Sequence, residues 1–203
     1  LDFIDVVTSS HNHTDHLDGE TLGLLLDVNP NLTVVVPTAN REFAADRLQV
    51  DAERLTPIDP TEPSLELEPF RLHAVPAAHE TVDLDDAGKC KYIGLVVECR
   101  NKYSIYHSGD TMLYSGMVDT LKPFNVDLAL LPINGRLPER RVAGNLWGRE
   151  AASLAKDIGA SMVIPCHYEM FEFNTEAPDE FVRECERLDQ PYRVLQCGER
   201  FSV

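Results

Sequence analysis

The chain has 203 residues, 43% hydrophobic and 26% charged, which suits one soluble domain with its own core. With 18 Lys and Arg against 34 Asp and Glu, the formal net charge is −16, a surface that repels nucleic acid and anionic membranes at long range. No apolar run reaches the roughly 18–20 residues that span a bilayer, and five cysteines without a CxxC pair argue for reduced thiols over a disulfide framework. Nothing at the start reads as a charged-then-apolar leader, so a cytoplasmic protein is expected, organised as a single domain over 1–203.

Phe3 to Thr8 is a short β-branched run ending in polar residues, hence a strand. Residues 19–28 have helical apolar spacing and stop at Asn29-Pro30. "LTVVVP" (32–37) reads as a buried strand, and Thr38 as the cap of a helix over about 39–48. The acidic, proline-rich 59–69 reads as a turn leading into a strand. Strands are predicted near 65–75, 91–98 and 102–107, then a helix near 115–121 and a strand over 126–132. A helix from Gly148 to Ile158 should end at Gly159. A strand over 161–167, a helix over 178–188 and two short strands complete the chain. The order βαβα, several strands, then βαβα argues for layered α/β architecture with helices on both outer faces.

Chemistry in such folds gathers just past strand ends. "SHNHTDH" (10–16) follows the first strand and holds three of the chain's seven histidines. His79 follows the strand near 65–75, Asp110 the strand 102–107, and His167 ends the strand 161–167. Neutral imidazole and carboxylate are donors that zinc, iron and manganese accept. Ligands from separated segments suit a catalytic site better than a local structural clip. In a turn after a strand, His11 and His13 can face one position and Asp15 and His16 a second. Two ions roughly 3.5–4 Å apart are then feasible. Taken singly, His79, Asp110 or His167 would be as ordinary as any turn or surface residue; their places relative to the first cluster give them weight. His73, inside a strand, and His107, before the turn that delivers Asp110, are read as non-ligands.

The residues that carry this pattern resemble a known family. "HNHTDH", followed by spaced His79, Asp110 and His167, is similar to the HxHxDH ligand pattern of the metallo-β-lactamase superfamily of hydrolases. Residues 131–171 resemble more narrowly the L-ascorbate-6-phosphate lactonase branch. The resemblance implies an αββα sandwich with the site at one edge. It implies that His11, His13 and His79 hold one metal, that Asp15, His16 and His167 hold another, and that Asp110 bridges them. Zinc is common in the superfamily, manganese is implied by the lactonase branch, and iron also suits the donors. Proteins of this fold usually carry further strands before HxHxDH. With the motif at residue 11, an N-terminally incomplete domain with an open apolar sheet edge is expected.

Other residues invite weaker readings. Cys166 is taken as a core thiol, because neighbouring strand residues face opposite ways. Tyr168 and Glu169 are candidates to orient His167. Trp147, and Met112 to Tyr114, are candidates for cleft walls, with core packing as the plainer reading. Residues 134–149 carry four arginines in an acidic chain. Asn134 and Arg136 are the expected substrate contacts there: Gly135 lets the backbone approach a ligand, and arginine grips phosphate or carboxylate. Arg140 and Arg141, farther out, are expected to face solvent or to steer the substrate.

The expectation is a metal-dependent hydrolase that turns a metal-bound hydroxide on a small anionic ester or lactone, such as a sugar-phosphate lactone. Asp15 and Asp110 are its catalytic carboxylates, Asp15 orienting the hydroxide. A phosphodiesterase or RNA-processing enzyme of the same fold is the close alternative, and a non-catalytic metal-stabilised scaffold the distant one. Nucleic acid and membrane partners are not expected; self-association is compatible with the sequence.

Overall fold

A computed structural model of the chain describes residues 1–99 and 102–202. Its elements run β1 (Val6–Thr8), α1 (Gly19–Val28), β2 (Thr33–Pro37), α2 (Arg41–Leu48), β3 (Leu55–Ile58), β4 (Leu65–Leu67) and β5 (Phe70–Pro76). There follow β6 (Ile93–Cys99), β7 (Tyr103–His107), α3 (Met117–Leu121), β8 (Leu128–Pro132), α4 (Gly148–Ile158), β9 (Met162–Cys166) and α5 (Asp179–Leu188).

The strands form two sheets. One is parallel, in the order β1-β2-β3. The other runs β4-β5-β6-β7-β8-β9, antiparallel up to β7 and parallel from β7 to β9. The alternation of side chains along a strand explains why they stack. In β2, Val34 and Val36 point toward Leu22, Leu25 and Ala44 of α1 and α2. Val35, between them, packs with Ile58 of β3 and with Leu72, Ile93 and Leu95 of the second sheet. The second sheet's other face, with Tyr106, Ala129 and Val163, packs on α3, α4 and α5 through Leu121, Ala151, Ala155 and Phe181. The result is four layers, helix–sheet–sheet–helix, as expected. Each large side chain fully withdrawn from water contributes about 1.5–3 kcal/mol.

Most element boundaries follow the sequence reading. Asp18 caps α1, its carboxylate accepting from the Glu20 and Thr21 amides. Gly159 ends α4 in the left-handed conformation (φ 74°). Four points differ. The strand predicted over 65–75 is a hairpin of β4 and β5, broken at Glu68-Pro69. Strand β3 was not predicted, because "LTPI" is too short and proline-bearing to read as a strand. Helix α2 begins at Arg41, after a 3-10 turn at Thr38–Asn40. Thr38 therefore does not cap it, and its hydroxyl hydrogen-bonds Glu62 instead. The two closing strands are absent among the described residues; Tyr192 makes one bridge to Val163. No helix of the described residues is long and apolar enough to cross a membrane.

Candidate metal centre

The carboxyl ends of β1, β5, β7 and β9 open onto one cleft of about 750 Å³. Local structure aims each donor. After β1, Ser9 extends the ladder by donating to the Val35 carbonyl at 2.9 Å. The chain then makes a helical turn, with the Leu17 amide on the His13 carbonyl at 2.8 Å. Leu17 is buried and pins that turn. The Ser10 carbonyl accepts from the Ile93 amide at 3.0 Å, tying this loop to the other sheet. The His79 and Asp110 loops are tied to each other by Met112 N to the Ala78 carbonyl, 2.7 Å, and Ala78 N to the Thr111 hydroxyl, 3.0 Å. At the end of β9, His167 adopts a left-handed backbone (φ 57°), which non-glycine residues rarely do.

All seven expected donors come together, in two groups. His11, His13, His79 and Asp110 have donor atoms within 4.8 Å of one another, and so do Asp15, His16 and His167. Asp110 also touches the second group, with its oxygens 3.2 Å from His16 Nε2 and 3.3 Å from His167 Nε2, and lies 3.5 Å from His79 Nε2. Asp15 is 3.2 Å from His167 Nε2 and 3.5 Å from His16 Nε2.

Two observations test whether these residues suit a metal. His11 Nε2 and both nitrogens of His167 are buried without a hydrogen-bond partner, so the short approaches to carboxylates lack hydrogen-bond alignment. Leaving such groups unsatisfied costs about 1–3 kcal/mol each. Two donors each about 2.0–2.1 Å from one tetrahedral ion lie about 3.3 Å apart, close to the separations around Asp110 and Asp15. The donor set fits divalent cations.

The electrostatics agree. Burial, aided by His16, lowers the His11 imidazole to about 2, and burial lowers His13 as well. Both are therefore neutral, as ligands must be. Burial would raise Asp110, but His16 and His167 override it and hold the carboxyl well below its ordinary value. Asp15 is lowered chiefly by His167. Burial would lower His167, yet Asp110 and Asp15 raise it to about 10. These carboxylates call for positive charge, as a proton on His167 or as a cation among the same groups.

Several supporting residues carry no sequence signal of their own. The Ser10 hydroxyl lies 3.0 Å from Nδ1 of both His11 and His16, and His79 Nδ1 lies 2.8 Å from the Gly144 carbonyl. These contacts direct Nε2 of each ring toward the cleft. Tyr92 packs against His11, His13 and His79 with ring centroids 5.1–5.9 Å away. Ser10→Ala should lower metal affinity about 10–100-fold. Chelator competition would measure this, and an unchanged affinity would show that the hydroxyl does not support the rings.

The structure departs from the expected substrate loop. Arg136 does not line the cleft. It pairs with both oxygens of Glu150 at 2.7 and 2.8 Å and donates to the Asn145 carbonyl. Glu150 in turn accepts from the Trp147 amide, so Arg136 fastens the loop to the start of α4. Arg140, expected in solvent, has a side chain only 9% exposed and joins the carbonyls of Asn134 and Thr175 to Glu176. Arg141 is the loop arginine that lines the cleft. Asn134 is buried and reaches it only through Asn174, whose Oδ1 accepts from Asn134 Nδ2 at 3.2 Å. Asn174 itself lines the cleft. Trp147 packs over Gly135, where an added Cβ would fall 2.2 Å from the indole ring. Tyr114 donates to the Pro76 carbonyl and Tyr168 to the Leu195 carbonyl, so neither forms a wall or orients His167. His73 pairs with Glu98, and His107 accepts from the Gly109 amide; neither joins the donor groups. Burial pushes the Cys166 thiol up to about 12, away from a thiolate ligand.

Comparison with known proteins places this geometry. A profile of the family described as Beta-lactamase superfamily domain matches residues 1–168. A UPF0173 metal-dependent hydrolase of Methanosphaerula palustris is 31% identical over 203 residues, spanning 98% of this chain and 84% of that protein. Among solved structures, Igni18, a metallo hydrolase of Ignicoccus hospitalis, superposes with a TM-score of 0.74 at 21% identity, covering 96% of this chain and 77% of that one. The metallo-beta-lactamase fold protein YhfI of Bacillus subtilis superposes at 0.72 with 18% identity, covering 95% and 74%. At those identities the two structures speak for the fold alone.

Proposed function

Because the chain belongs to the UPF0173 metal-dependent hydrolase family of the beta-lactamase superfamily, with the metallo-β-lactamase fold, we propose that it hydrolyses a small anionic ester or lactone at two divalent ions. His11, His13 and His79 would hold one ion, Asp15, His16 and His167 the other, with Asp110 shared between them. Zinc, manganese or iron suits these donors. Such ions supply Lewis acidity toward a water and toward a carbonyl oxygen.

The chain's own residues do the rest. Asp110, almost fully buried and held ionised, keeps His16, His79 and His167 facing one point. Asp15, also held below the usual carboxylate range and set beside His167 and His16, is the carboxylate that would accept a hydrogen bond from the attacking water and take its proton. Arg141 meets the substrate's anionic group.

The single observation behind an anionic substrate is Arg141. The residue lines the cleft, and its side chain makes no ion pair or hydrogen bond among the described residues, in a chain of net charge −16. A sugar-phosphate lactone is the finer reading. It rests on the likeness of 131–171 to the L-ascorbate-6-phosphate lactonase branch, a stretch that includes Arg141 and His167. Phosphodiester hydrolysis is the second reading, and the acidic balance weighs against RNA.

The test is a panel of ester, lactone and phosphodiester substrates with metal-reconstituted protein. Turnover of phosphodiesters alone would overturn the proposal. Arg141→Ala should cut kcat/KM for an anionic lactone about 10–100-fold, the loss of one charge-assisted contact of about 1.5–3 kcal/mol, while sparing a neutral ester. Arg136→Ala should affect both substrates alike, because it loosens the loop. Equal loss on both substrates from Arg141→Ala would remove the support for an anionic substrate.

A further inference from the structure

The cleft's carboxylate donors and most of its imidazole donors differ in exposure from its apolar groups. Most of its donors lie deep: the side chains of Asp110, His79, His167 and Asp15 are 5%, 6%, 7% and 16% exposed, and His13 lies nearer the surface. Its apolar groups lie at the mouth: Val142 is 41% exposed, Phe43 44% and Phe173 62%. The aromatic groups form a continuous path. The Phe171 ring is 6.4 Å from that of His167 and 5.8 Å from that of Phe173, running from a donor outward. On another side Phe43, from α2, carries the Arg47 guanidinium 4.5 Å from its ring centre. Arg47 is itself held by the Asn12 carbonyl at 2.5 Å and the Leu17 carbonyl at 3.3 Å, so this wall is fixed from the metal loop.

A lone exposed apolar side chain needs no explanation, but a group of them rimming one cleft marks a binding surface. We propose that the cleft takes an ester or lactone with an apolar arm, alkyl or aryl, lying against Phe43, Phe171 and Phe173 while the reacting group sits at the donors. The proposal rests on the hydrolase reading above and replaces its sugar-phosphate part: sugar hydroxyls would leave these walls wet, and an apolar arm would cover them. A protein partner is the less suitable occupant, since covering the patch would seal the cleft from its substrate.

The arm and the reaction can be tested separately. Calorimetric titration of metal-loaded protein with butyrate, hexanoate and octanoate probes the arm without turnover. Affinity should rise about two- to fourfold per methylene, the effect of burying part or all of each group, with a negative heat-capacity change. Phe43→Ser and Phe173→Ser should flatten that rise; both side chains are exposed, and melting curves would confirm intact folds. Equal affinity along the series, or variants that keep the parent's slope, overturns the proposal. A matching series of chromogenic acetate, butyrate and hexanoate esters tests the reaction. No turnover of any ester or lactone would sink the hydrolase reading, and the carboxylate series would still decide the arm.

Discussion

Asp110→Ala should lower metal content and turnover together, with kcat/KM falling by at least about a thousandfold, or about 4 kcal/mol of transition-state stabilisation. The expectation follows from position. Asp110 is the one residue whose carboxylate approaches members of both donor groups: His79 on one side, His16 and His167 on the other. Its burial would favour the protonated form, and His16 and His167 keep it charged instead. Without it, three imidazoles lose the anion that faces them, and any bound cation would lose a buried counter-charge. Asp110→Asn keeps the volume and one oxygen but not the charge, so metal content should fall there too. His73→Ala, which removes contacts with Glu98 and Phe124 away from the donors, is the control and should leave metal content unchanged. Elemental analysis after gel filtration, with kinetics and melting curves on the same samples, gives all readouts. The parent should approach two ions per chain. A firm ceiling of one, or an Asp110→Ala protein that still holds two, would remove the shared-carboxylate centre.

Gly109→Ala should damage stability and metal binding at once. The residue has φ 59°, where a side chain is strained by roughly 1–2 kcal/mol. There is also no room: an added Cβ would fall 2.6 Å from the Ile93 carbonyl and 2.8 Å from Ser10 Cβ. Overpacking of this kind costs about 1–3 kcal/mol. Together they predict a loss of about 2–5 kcal/mol and a Tm lower by about 5–20 °C. The neighbours decide the functional consequence. Ser10 stands behind His11 and His16, and Asp110 follows Gly109, so any relief must displace one side of the donor set. Metal affinity measured well below the new Tm should therefore fall as well. A variant with the parent's Tm would show that the turn can relax. A variant that melts early yet binds metal normally would separate this glycine from the site.

The fold and the donor set were legible to different depths. The apolar run of β2 and the helical spacing of α1 and α4 are local, so a layered α/β fold with helices on both outer faces could be read directly; the αββα sandwich was implied by the resemblance carried by "HNHTDH". The hairpin at β4–β5 and the strand β3 were missed because short strands carry little pattern of their own. Strand β3 exists because β2 offers it a ladder: Val34 to Pro37 pair with Leu55 to Ile58. The donors were legible because residue type nearly identifies them. Few roles other than metal binding suit three histidines and an aspartate packed into one turn.

The sequence by itself thus determined a layered α/β class and which side chains gather at the strand ends, since both depend on residue type and short-range spacing. The roles of the arginines were decided only by tertiary structure. Arg136, Arg140 and Arg141 are chemically alike and nearly adjacent, and no local rule ranks them. Arg136 meets Glu150 across 14 residues, Arg140 meets Glu176 across 36, and Arg141 is left at the cleft wall. The same holds for other groups around the cleft: Asn134 holds Asn174 across 40 residues, and the Gly144 carbonyl faces the donor His79 across 65. A charged or polar side chain takes whichever partner packing brings within about 3 Å, and packing is a property of the whole chain.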